Sequence, residues 1–451
     1  MAARPLSATK TSPPVVGPVK APKVPRIVEE GLPHGVQALV VRHGGIPLVE
    51  FRVAFALPEG EIAKPAALTV LCHSLFAGTE RRDRTGLAEA LEGLGAHLGA
   101  DVHEDYLVLS GSVLAANLAP FLSLVGEILT APAYPEEEVR ADAARAADEA
   151  LIALSQPEVT ARQALRRRMF KGHPYSTPIA SPAALRRVNA GILGDLHGTL
   201  LGASAPVLAL VGDMQPARAT AWLQDALGRW LAHRKTAVPD LRTTPPLQPG
   251  PIELVAREGS IQSNLRLGGP APSPTAPDWP AALLAESIAG GMFTSRITAN
   301  LRERNGYTYT PHMFTSHFRA GSHLVAAADV ASEVTAAALV ETRYELGRIA
   351  TTGVTPEELE LARRHAVGRF AFQIATQSGL ANTLVALAVK GTGTGYLHSH
   401  PKGLLAATKD DVDDAARRYL APSQLVTVVV GDPRTVQGQL ELVDEVVVRT
   451  S

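Results

Sequence analysis

The sequence has a single cysteine, Cys72, among its 451 residues. One thiol cannot form an internal disulfide bond, and it excludes a zinc site built from several cysteines. A protein without disulfides is suited to a reducing compartment. We therefore expect the protein to be cytoplasmic.

Long apolar runs and an excess of either charge are also missing. No stretch reaches the roughly 18 uninterrupted apolar residues of a membrane-spanning helix, so no membrane association is expected. The 43 basic and 44 acidic residues leave a formal net charge of −1, which provides no positive field to attract nucleic acid. With 46% apolar and only 5% aromatic residues, the composition is that of an ordinary globular protein with more than one domain.

Two similar segments indicate that the chain is an internal duplication. Residues 205–213 (APVLALVGD) and 423–432 (SQLVTVVVGD) are each an apolar strand that ends in Gly-Asp and is followed by a helical pattern. The two Gly-Asp pairs lie 432 − 213 = 219 positions apart, close to half the chain. Each half also begins with two strand-like segments and a helix, which starts at Pro65 in the first half and at Trp279 in the second.

The predicted organisation has four parts. Residues 1–26 contain six prolines and no apolar run, so we expect a flexible Pro/Lys-rich tail rather than a signal peptide. Residues 236–251 contain five prolines among sixteen positions and are predicted to be an extended, semi-rigid linker. The N-terminal half then covers residues 27–235 and the C-terminal half residues 252–451.

Within each half, the strand and helix patterns do not alternate strictly. Long helices are predicted at 136–154 and 355–377, where glutamates near the start suit the positive end of the helix dipole. A short strand pair is predicted at 97–105 and 106–113, directly after a helix. This order favours an α+β fold in which each half has mainly antiparallel sheets covered by helices.

Two segments of the chain resemble a known peptidase family. LCHSLFAGTERRDRTGLAEALEGLGAHLGA, at residues 71–100, is similar to the core of the inverzincins, which have H-x-x-E-H on a helix. GGMFTSRITANLRERNGYTYT, at residues 290–310, is similar to the C-terminal signature of the same family. From roughly residue 30 to residue 445, the chain resembles the pitrilysin and mitochondrial processing peptidase family. The resemblance implies a clamshell formed by two homologous α+β halves.

In active members of that family, the H-x-x-E-H helix binds zinc. Two histidines four positions apart share one helix face and can both reach the metal, while the glutamate activates the metal-bound water. When the chain is aligned on the Leu-Phe-x-Gly-Thr segment at 75–79, Thr69 stands in place of the first histidine. Cys72 stands in place of the glutamate, and only His73 remains.

The resemblance also places a distant zinc ligand at Glu149 and a supporting carboxylate at Asp142. One imidazole and one carboxylate make a weak zinc site. Cys72 cannot complete the site, because adjacent residues on a helix diverge by about 100°. The same divergence argues against a nucleophilic dyad of Cys72 and His73. We expect no metal in this chain and an ordinary polar contact between His73 and Glu149.

The second signature is better preserved than the first. Arg302 and Tyr309 have the seven-residue spacing of the pair that binds the substrate backbone near the scissile bond in the family. A guanidinium and a phenol can both donate hydrogen bonds to a peptide carbonyl and to the oxyanion that develops from it. The resemblance also aligns 96–102 with an edge strand onto which an extended substrate adds. The asparagine that active members often have near Gly99 is missing.

A His-x-His sequence, at His398 and His400, follows the glycine-rich segment 391–395. Two histidines at this spacing can bind a metal ion. We interpret the segment instead as an ordinary glycine-rich loop.

Loss of the metal ligands together with retention of the substrate-binding pair predicts one subunit of a two-subunit zinc endopeptidase. The expected partner is a homologous subunit that has H-x-x-E-H and binds the zinc. This chain alone would bind no cofactor and hydrolyse no peptide. Short unstructured peptides, such as leader peptides, are the expected substrates by family analogy. Two alternatives stay open: a catalytically inactive scaffold subunit of a larger complex, and a self-sufficient metallopeptidase with an atypical metal site.

Overall fold

The structure, a computed structural model, describes residues 17–33, 36–202, 206–232 and 238–450. Within these ranges the strands are β1 (Ile27–Gly31), β2 (Gln37–Arg42), β3 (Leu48–Ala56), β4 (His97–Val102), β5 (Tyr106–Leu114), β6 (Pro206–Gly212), β7 (Ile252–Ala256), β8 (Gln262–Ala271), β9 (His312–Phe318), β10 (Gly321–Ala331), β11 (Val426–Gly431) and β12 (Val446–Thr450).

The α-helices of the same ranges are α1 (Glu59–Ile62), α2 (Pro65–Ser74), α3 (Arg84–Gly93), α4 (Leu118–Thr130), α5 (Glu136–Ser155), α6 (Pro157–Met169), α7 (Pro182–Leu185), α8 (Ala190–Leu196), α9 (Pro216–Leu231), α10 (Trp279–Glu286), α11 (Thr335–Thr352), α12 (Pro356–Ala375), α13 (Gln377–Val389), α14 (Tyr396–Ala406), α15 (Lys409–Tyr419) and α16 (Pro433–Leu440). Segments of π-helix occupy Ser287–Gly291, directly after α10, and Thr298–Arg304. Among the described residues, no helix is long and apolar enough to cross a bilayer.

The strands form two six-stranded sheets of matching order. The first has the order β1-β2-β6-β3-β5-β4 and the second the order β12-β7-β11-β8-β10-β9. In each sheet one central pair, β2 with β6 and β7 with β11, is parallel, and the pairs from there to the far edge are antiparallel. The first edge differs, because β1 pairs antiparallel with β2 and β12 pairs parallel with β7. The sheets are therefore mixed, and their repeated order confirms the predicted α+β fold with two homologous halves.

The strand that ends in Gly-Asp lies inside each sheet, as its composition predicts. β6 and β11 consist almost entirely of buried apolar residues, which is typical of a strand covered on both faces. A Cβ atom at Gly212, the last residue of β6, would lie 2.3 Å from the carbonyl oxygen of Leu48. Glycine is required at this position because the neighbouring strand β3 approaches the backbone so closely.

The two long helices begin where the sequence predicts. α5 begins at Glu136, with three glutamates in its first turn. Thr355 precedes α12, and its hydroxyl accepts a hydrogen bond from the Glu358 N–H (3.2 Å) while the Glu358 carboxylate accepts one from the Thr355 N–H (2.8 Å). This capping box fixes the start of α12. The helix ends at Ala375, before the predicted limit, because Thr376 caps the following helix α13.

One helix from each half packs on the sheet of the other half. α6 lies against β8 and β11 of the second sheet, and α13 lies against β3 and β6 of the first. At the α6 interface, a Cβ atom at Gly268 of β8 would lie 2.4 Å from the Met169 sulfur. At the α13 interface, Arg52 of β3 donates hydrogen bonds to Asn382 Oδ1 (2.6 Å) and Ser378 Oγ (2.8 Å). Any clamshell opening between the halves of this chain would have to break both interfaces.

The linker crosses the surface without regular secondary structure. Residues 238–250 form neither helix nor strand. Arg242 in this segment forms an ion pair with Glu59 (Nε to Oε1, 3.0 Å), and the Thr244 N–H donates to the Ala320 carbonyl oxygen at 3.0 Å. The linker is therefore attached to both halves. The predicted linker residues 236 and 237 lie outside the described part of the chain.

The described part of the predicted tail lies on the folded body. Val19 packs against the core of the C-terminal half, and Val24 packs against the apolar cluster that includes α13. Residues 17–26 are therefore held on the surface by apolar contacts rather than free. Residues 1–16 lie outside the described part of the chain.

The segment with two histidines near residue 400 differs from its prediction. His398 and His400 lie in α14 and not in a glycine-rich loop. His398 is exposed and His400 is buried, because residues two positions apart on a helix diverge by about 200°. The two imidazoles therefore cannot share one metal ion.

Candidate functional site

The first group of predicted site residues lies on α2. This helix begins at Pro65, whose fixed φ suits the first helical position. It packs against α5 and against β4. Thr69, Cys72 and His73 are all partly buried on this helix, between its fully buried apolar face and solvent.

His73 and Glu149 meet where α2 packs on α5. The imidazole Nε2 lies 3.6 Å from Glu149 Oε2, which is longer than an ordinary hydrogen bond. The Glu149 side chain is 57% exposed, so water screens the pair and its contribution to stability is small. Glu149, which is 76 positions from His73 in the sequence and was expected near it from the family alignment, thus lies next to His73 in space.

The other two motif positions are engaged elsewhere. Thr69 Oγ1 donates a hydrogen bond to the Pro65 carbonyl oxygen, one turn earlier, at 2.9 Å. Cys72 packs against the apolar core of the first half. Burial, assisted by the negative charge of Asp101, raises the pKa of the Cys72 thiol to about 12. The thiol therefore stays protonated at neutral pH and is a poor metal ligand and a poor nucleophile.

Asp142 anchors the helices around α2. Its side chain is fully buried and accepts hydrogen bonds from Ser74 Oγ (2.9 Å), Arg84 Nη2 (2.7 Å) and Arg145 Nη2 (3.1 Å). These bonds join the end of α2 to α3 and α5. Asp142 therefore holds the frame of the motif in place, and its oxygens are already satisfied.

This donor set does not fit a catalytic zinc ion. Such an ion typically has three protein ligands and one open position. His73 and Glu149 supply two donors, whereas Thr69, Cys72 and Asp142 are engaged as described above. Among the described residues, no three His, Cys, Asp or Glu side chains are arranged to hold a metal ion.

The second group of predicted residues forms a stack on the surface of the C-terminal half. Arg302 lies in the π-helical segment Thr298–Arg304, a local distortion that is frequent at functional sites. Its guanidinium carbon lies 4.6 Å from the ring centre of Tyr309 and 4.5 Å from that of Phe293. The cation thus makes a cation–π contact with each of two aromatic rings. We call Phe293, Arg302 and Tyr309 the arginine stack.

The arginine stack projects from the protein. Tyr309 is 76% exposed and Phe293 is 69% exposed, whereas the Arg302 side chain is 23% exposed because the rings cover it. Arg302 Nε also lies 3.2 Å from the Glu303 carboxylate. Two hydrogen-bond donors, a guanidinium and a phenol, are therefore presented side by side to a ligand.

Phe293 is a member of the stack that the spacing argument missed. It lies nine positions before Arg302, within the same family-like segment. The sequence does contain a signal for this contact: Phe293 lies in a short connecting segment, between two glycines and a Thr-Ser pair. Large apolar side chains in such segments usually make a specific contact.

Each sheet ends in an edge strand beside one of the two groups. β4 is the last strand of the first sheet and contacts α2, which confirms the edge position predicted for 96–102. β9 is the last strand of the second sheet and begins three residues after Tyr309. Unpaired backbone groups on such edges can bind an extended peptide.

Comparison with known proteins identifies two family domains along the chain. Residues 69–183 match the sequence model described as Insulinase (Peptidase family M16), and residues 187–365 match the one described as Peptidase M16 inactive domain. The first match begins at the position where the zinc motif would start. The boundary between the two matches precedes β6, so the sequence domains do not coincide with the two sheets.

Two bacterial relatives have the word protease in their names. The chain is 21% identical over 295 residues to an uncharacterized zinc protease of Mycobacterium leprae, a match that covers 64% of this chain and 66% of that protein. It is 24% identical over 320 residues to an uncharacterized zinc protease of Streptomyces coelicolor, covering 69% and 67%. The chain thus spans about two thirds of the length of these relatives.

The fold recurs in solved bacterial structures. A peptidase M16 inactive domain from Pseudomonas fluorescens superposes with a TM-score of 0.78 at 22% identity, covering 90% of this chain and 98% of that one. A protease from Helicobacter pylori gives a TM-score of 0.81 at 17% identity, covering 90% and 100%. Since the two family models together match residues 69–183 and 187–365, more than half of the chain, the protein belongs to the M16 (insulinase/pitrilysin) family of peptidases.

Proposed function

We propose that this chain is the non-catalytic, substrate-binding subunit of a two-subunit M16 zinc endopeptidase. The contrast between its two sites supports the proposal. The α2 site has lost its zinc ligands except for one imidazole and one exposed carboxylate, whereas the arginine stack is formed and open to solvent. A subunit that only maintained a larger assembly would have no need of such a stack.

The division of labour follows from the chemistry of the two sites. A homologous partner with an intact H-x-x-E-H helix would bind the zinc, which supplies an activated water and polarises the scissile carbonyl. Arg302 and Tyr309 would donate hydrogen bonds to the substrate carbonyl and to the oxyanion that forms from it. Phe293 would help to keep the guanidinium in place through its own cation–π contact.

The proposed substrates are short unstructured peptides, including leader peptides. An extended peptide can add to the edge strand β9, which begins next to Tyr309, through backbone hydrogen bonds. A folded protein has few free backbone groups to offer in this mode. The names of the two zinc protease relatives agree with peptide hydrolysis as the activity of the complex.

Reconstitution with the partner tests the proposal. The chain, a homologous H-x-x-E-H subunit and their mixture are each assayed on a fluorogenic unstructured peptide, and zinc is measured in each protein by elemental analysis. We expect activity from the mixture alone and zinc in the partner alone. Stoichiometric zinc in this chain, with hydrolysis in the absence of any partner, would instead establish a self-sufficient metallopeptidase.

Variants of the arginine stack test the role of this chain within the complex. Arg302→Ala and Tyr309→Phe should each lower kcat/KM by about 100-fold, the usual effect of removing a donor to an oxyanion. Arg304→Ala is the matched control, because Arg304 is an exposed arginine two positions away in the same segment. Full activity in both stack variants would remove the substrate-binding role and leave a scaffold subunit as the explanation.

A further inference from the structure

A cavity of about 350 Å³ lies in the C-terminal half, and no residue of the arginine stack lines it. Side chains from α10, β9, α12, α13 and α14 line it. Its size is at the lower end of the range for small-molecule sites. Several polar atoms in its wall have no hydrogen-bond partner in the protein, which indicates that the cavity binds a ligand.

Three imidazole nitrogens of the cavity wall are buried without a hydrogen-bond partner. They are His317 Nε2, His365 Nε2 and His400 Nδ1. The other nitrogen of His317 is bonded to Ser322 Oγ at 2.8 Å, so that ring is held with its free nitrogen available. Buried polar atoms are nearly always satisfied in folded proteins. Three unsatisfied atoms around one cavity indicate that it holds a polar molecule.

The charges around the cavity favour an anion. Lys390 is half-buried, and no carboxylate of the described residues lies within ion-pair distance of its ammonium group, although the charges of Asp105 and Glu104 act on it from farther away. Burial lowers the pKa of Lys390. Arg369 lies on the rim and is likewise unpaired within the described chain. A ligand with a carboxylate would neutralise both groups.

One acidic residue, Glu286, lies in the cavity wall, where the charge of Arg369 acts on it. Glu286 at the end of α10 is 5% exposed and accepts a hydrogen bond from the Thr315 hydroxyl. Burial raises the pKa of Glu286 to about 7. The carboxyl group is therefore largely protonated at mildly acidic pH, and it can donate a hydrogen bond to a bound carboxylate instead of repelling it.

The remaining wall is apolar and aromatic. Trp279, Phe370 and Tyr396 line it, and the Trp279 indole N–H donates to the Tyr396 hydroxyl at 3.0 Å. Flat aromatic walls bind planar apolar groups well. A metal ion is not the occupant indicated here, because no three candidate ligand side chains of the described residues converge on one point.

We propose that this cavity binds the carboxylate of a small acid with a planar apolar body, of about the size of an aromatic amino acid. The carboxylate lies between Lys390 and Arg369, the imidazoles of His317 and His400 complete its hydrogen bonds, and the apolar body packs on Trp279. The same chemistry is offered by a free aromatic acid and by the C-terminal residue of a peptide. This site is separate from the proposed substrate-binding role and does not depend on it.

Calorimetric titration of the full chain tests the proposal with defined probes. N-acetyl-L-phenylalanine represents the free acid, and its neutral amide is the matched control for the carboxylate. A pentapeptide with C-terminal phenylalanine, free or amidated, represents the peptide source. We expect both free carboxylates to bind and both amides to bind at least tenfold more weakly, since a desolvated charge pair is lost. A pentapeptide that binds much more tightly than the free acid would assign the site to peptide C-termini, and the reverse would assign it to small acids.

Charge-removal variants locate the site. Lys390→Met keeps the apolar stem of the side chain, and Arg369→Gln alters an exposed position, so both variants should fold, which circular dichroism checks. Each should weaken binding of N-acetyl-L-phenylalanine by about tenfold or more. Lys402→Met, on the exposed side of α14, should leave binding unchanged. Equal binding of acid and amide, equal affinity in the Lys390 and Lys402 variants, or no binding at millimolar probe would each overturn the proposal.

Discussion

The buried carboxyl group of Glu286 should make the stability of the protein fall as the pH rises. Its side chain is 5% exposed, and it accepts a hydrogen bond from Thr315. The perturbation that isolates its effect is Glu286→Gln, because an amide has nearly the same shape, keeps an acceptor for the Thr315 hydroxyl and does not ionise.

The size of the effect follows from the change in pKa on folding. Burial raises the pKa of Glu286 from 4.5 to about 7. The folded state therefore binds the proton more tightly than the unfolded chain, so stability is greatest below the unfolded pKa and declines between pH 4.5 and 7. At about 1.4 kcal/mol for each tenfold change in proton affinity, ionisation should cost the folded state about 3 kcal/mol.

Urea unfolding of both proteins at pH 4, 5, 6, 7 and 8 measures this cost. Burial lowers the pKa of His317 to about 3 and that of His400 to about 4, which gives the opposite pH dependence. That contribution is common to both proteins and cancels in their difference. The stability of Glu286→Gln relative to the native protein should therefore rise by about 3 kcal/mol from pH 4 to pH 8. Glu333→Gln, at an exposed position, is the control, and a difference for Glu286→Gln as flat as this control would refute the reasoning.

Three other predictions concern the residues around α2 and the unfolding of the whole chain. Asp142→Asn should lower the free energy of unfolding by about 3 kcal/mol or more because a buried charge network is broken, whereas Asp148→Asn, in an exposed ion pair, should change it by less than about 0.5 kcal/mol; denaturant titration distinguishes them. Cys72, whose partly buried thiol has a pKa of about 12, should react with iodoacetamide at pH 8 much more slowly in the folded protein than in the urea-unfolded protein, as mass spectrometry of timed samples would show. Because α6 and α13 each pack on the sheet of the other half, the two halves should unfold together. Single-tryptophan variants that retain Trp230 or Trp279 should therefore report one common unfolding transition, and two separated midpoints would contradict this.

Much of the fold was predictable because local and tertiary preferences agree. The strands before Asp213 and Asp432 are almost entirely apolar because they lie inside sheets covered on both faces. The start of α12 is marked by a Thr-x-x-Glu capping box at Thr355. The spacing of Arg302 and Tyr309 also survives as a physical contact between the two side chains. In each case a short stretch of sequence contains the whole cause of the structure.

The rest depends on contacts between residues that are distant in sequence. Nothing in α6 or α13 alone indicates that each packs on the sheet of the other half, because an apolar helix face does not specify which sheet covers it. The contact of Phe293 with Arg302 depends on a π-helical segment that periodicity does not predict. The glycine-rich stretch before His398 suggested a loop, although the chain from Tyr396 onward has enough apolar contacts to form a helix.

α2 and α10 are the corresponding helices of the two halves: the predicted motif positions lie on the first, and residues of the second line the cavity. When Leu75-Phe76 is aligned with Met292-Phe293, 292 − 75 = 217 residues later, Thr69 aligns with Glu286 and His73 with Gly290. In the first half, α2 contacts the edge strand β4 and the long helix α5. In the second half, α10 and the π-helical segment after it likewise contact the edge strand β9 and the long helix α12.

The backbone spacing decides which chemistry each half can hold. In the second half, a Cβ atom at Gly290 would lie only 2.7 Å from Met313 Cβ on β9, so no imidazole can occupy the position that His73 has in the first half. The polar group there is one turn earlier, at Glu286, where β9 provides the Thr315 hydroxyl as its partner. The same position between helix and edge strand thus holds the partly buried Thr69 hydroxyl in one half and the buried Glu286 carboxyl group in the other, so its polar group can differ while the fold of the two halves stays the same.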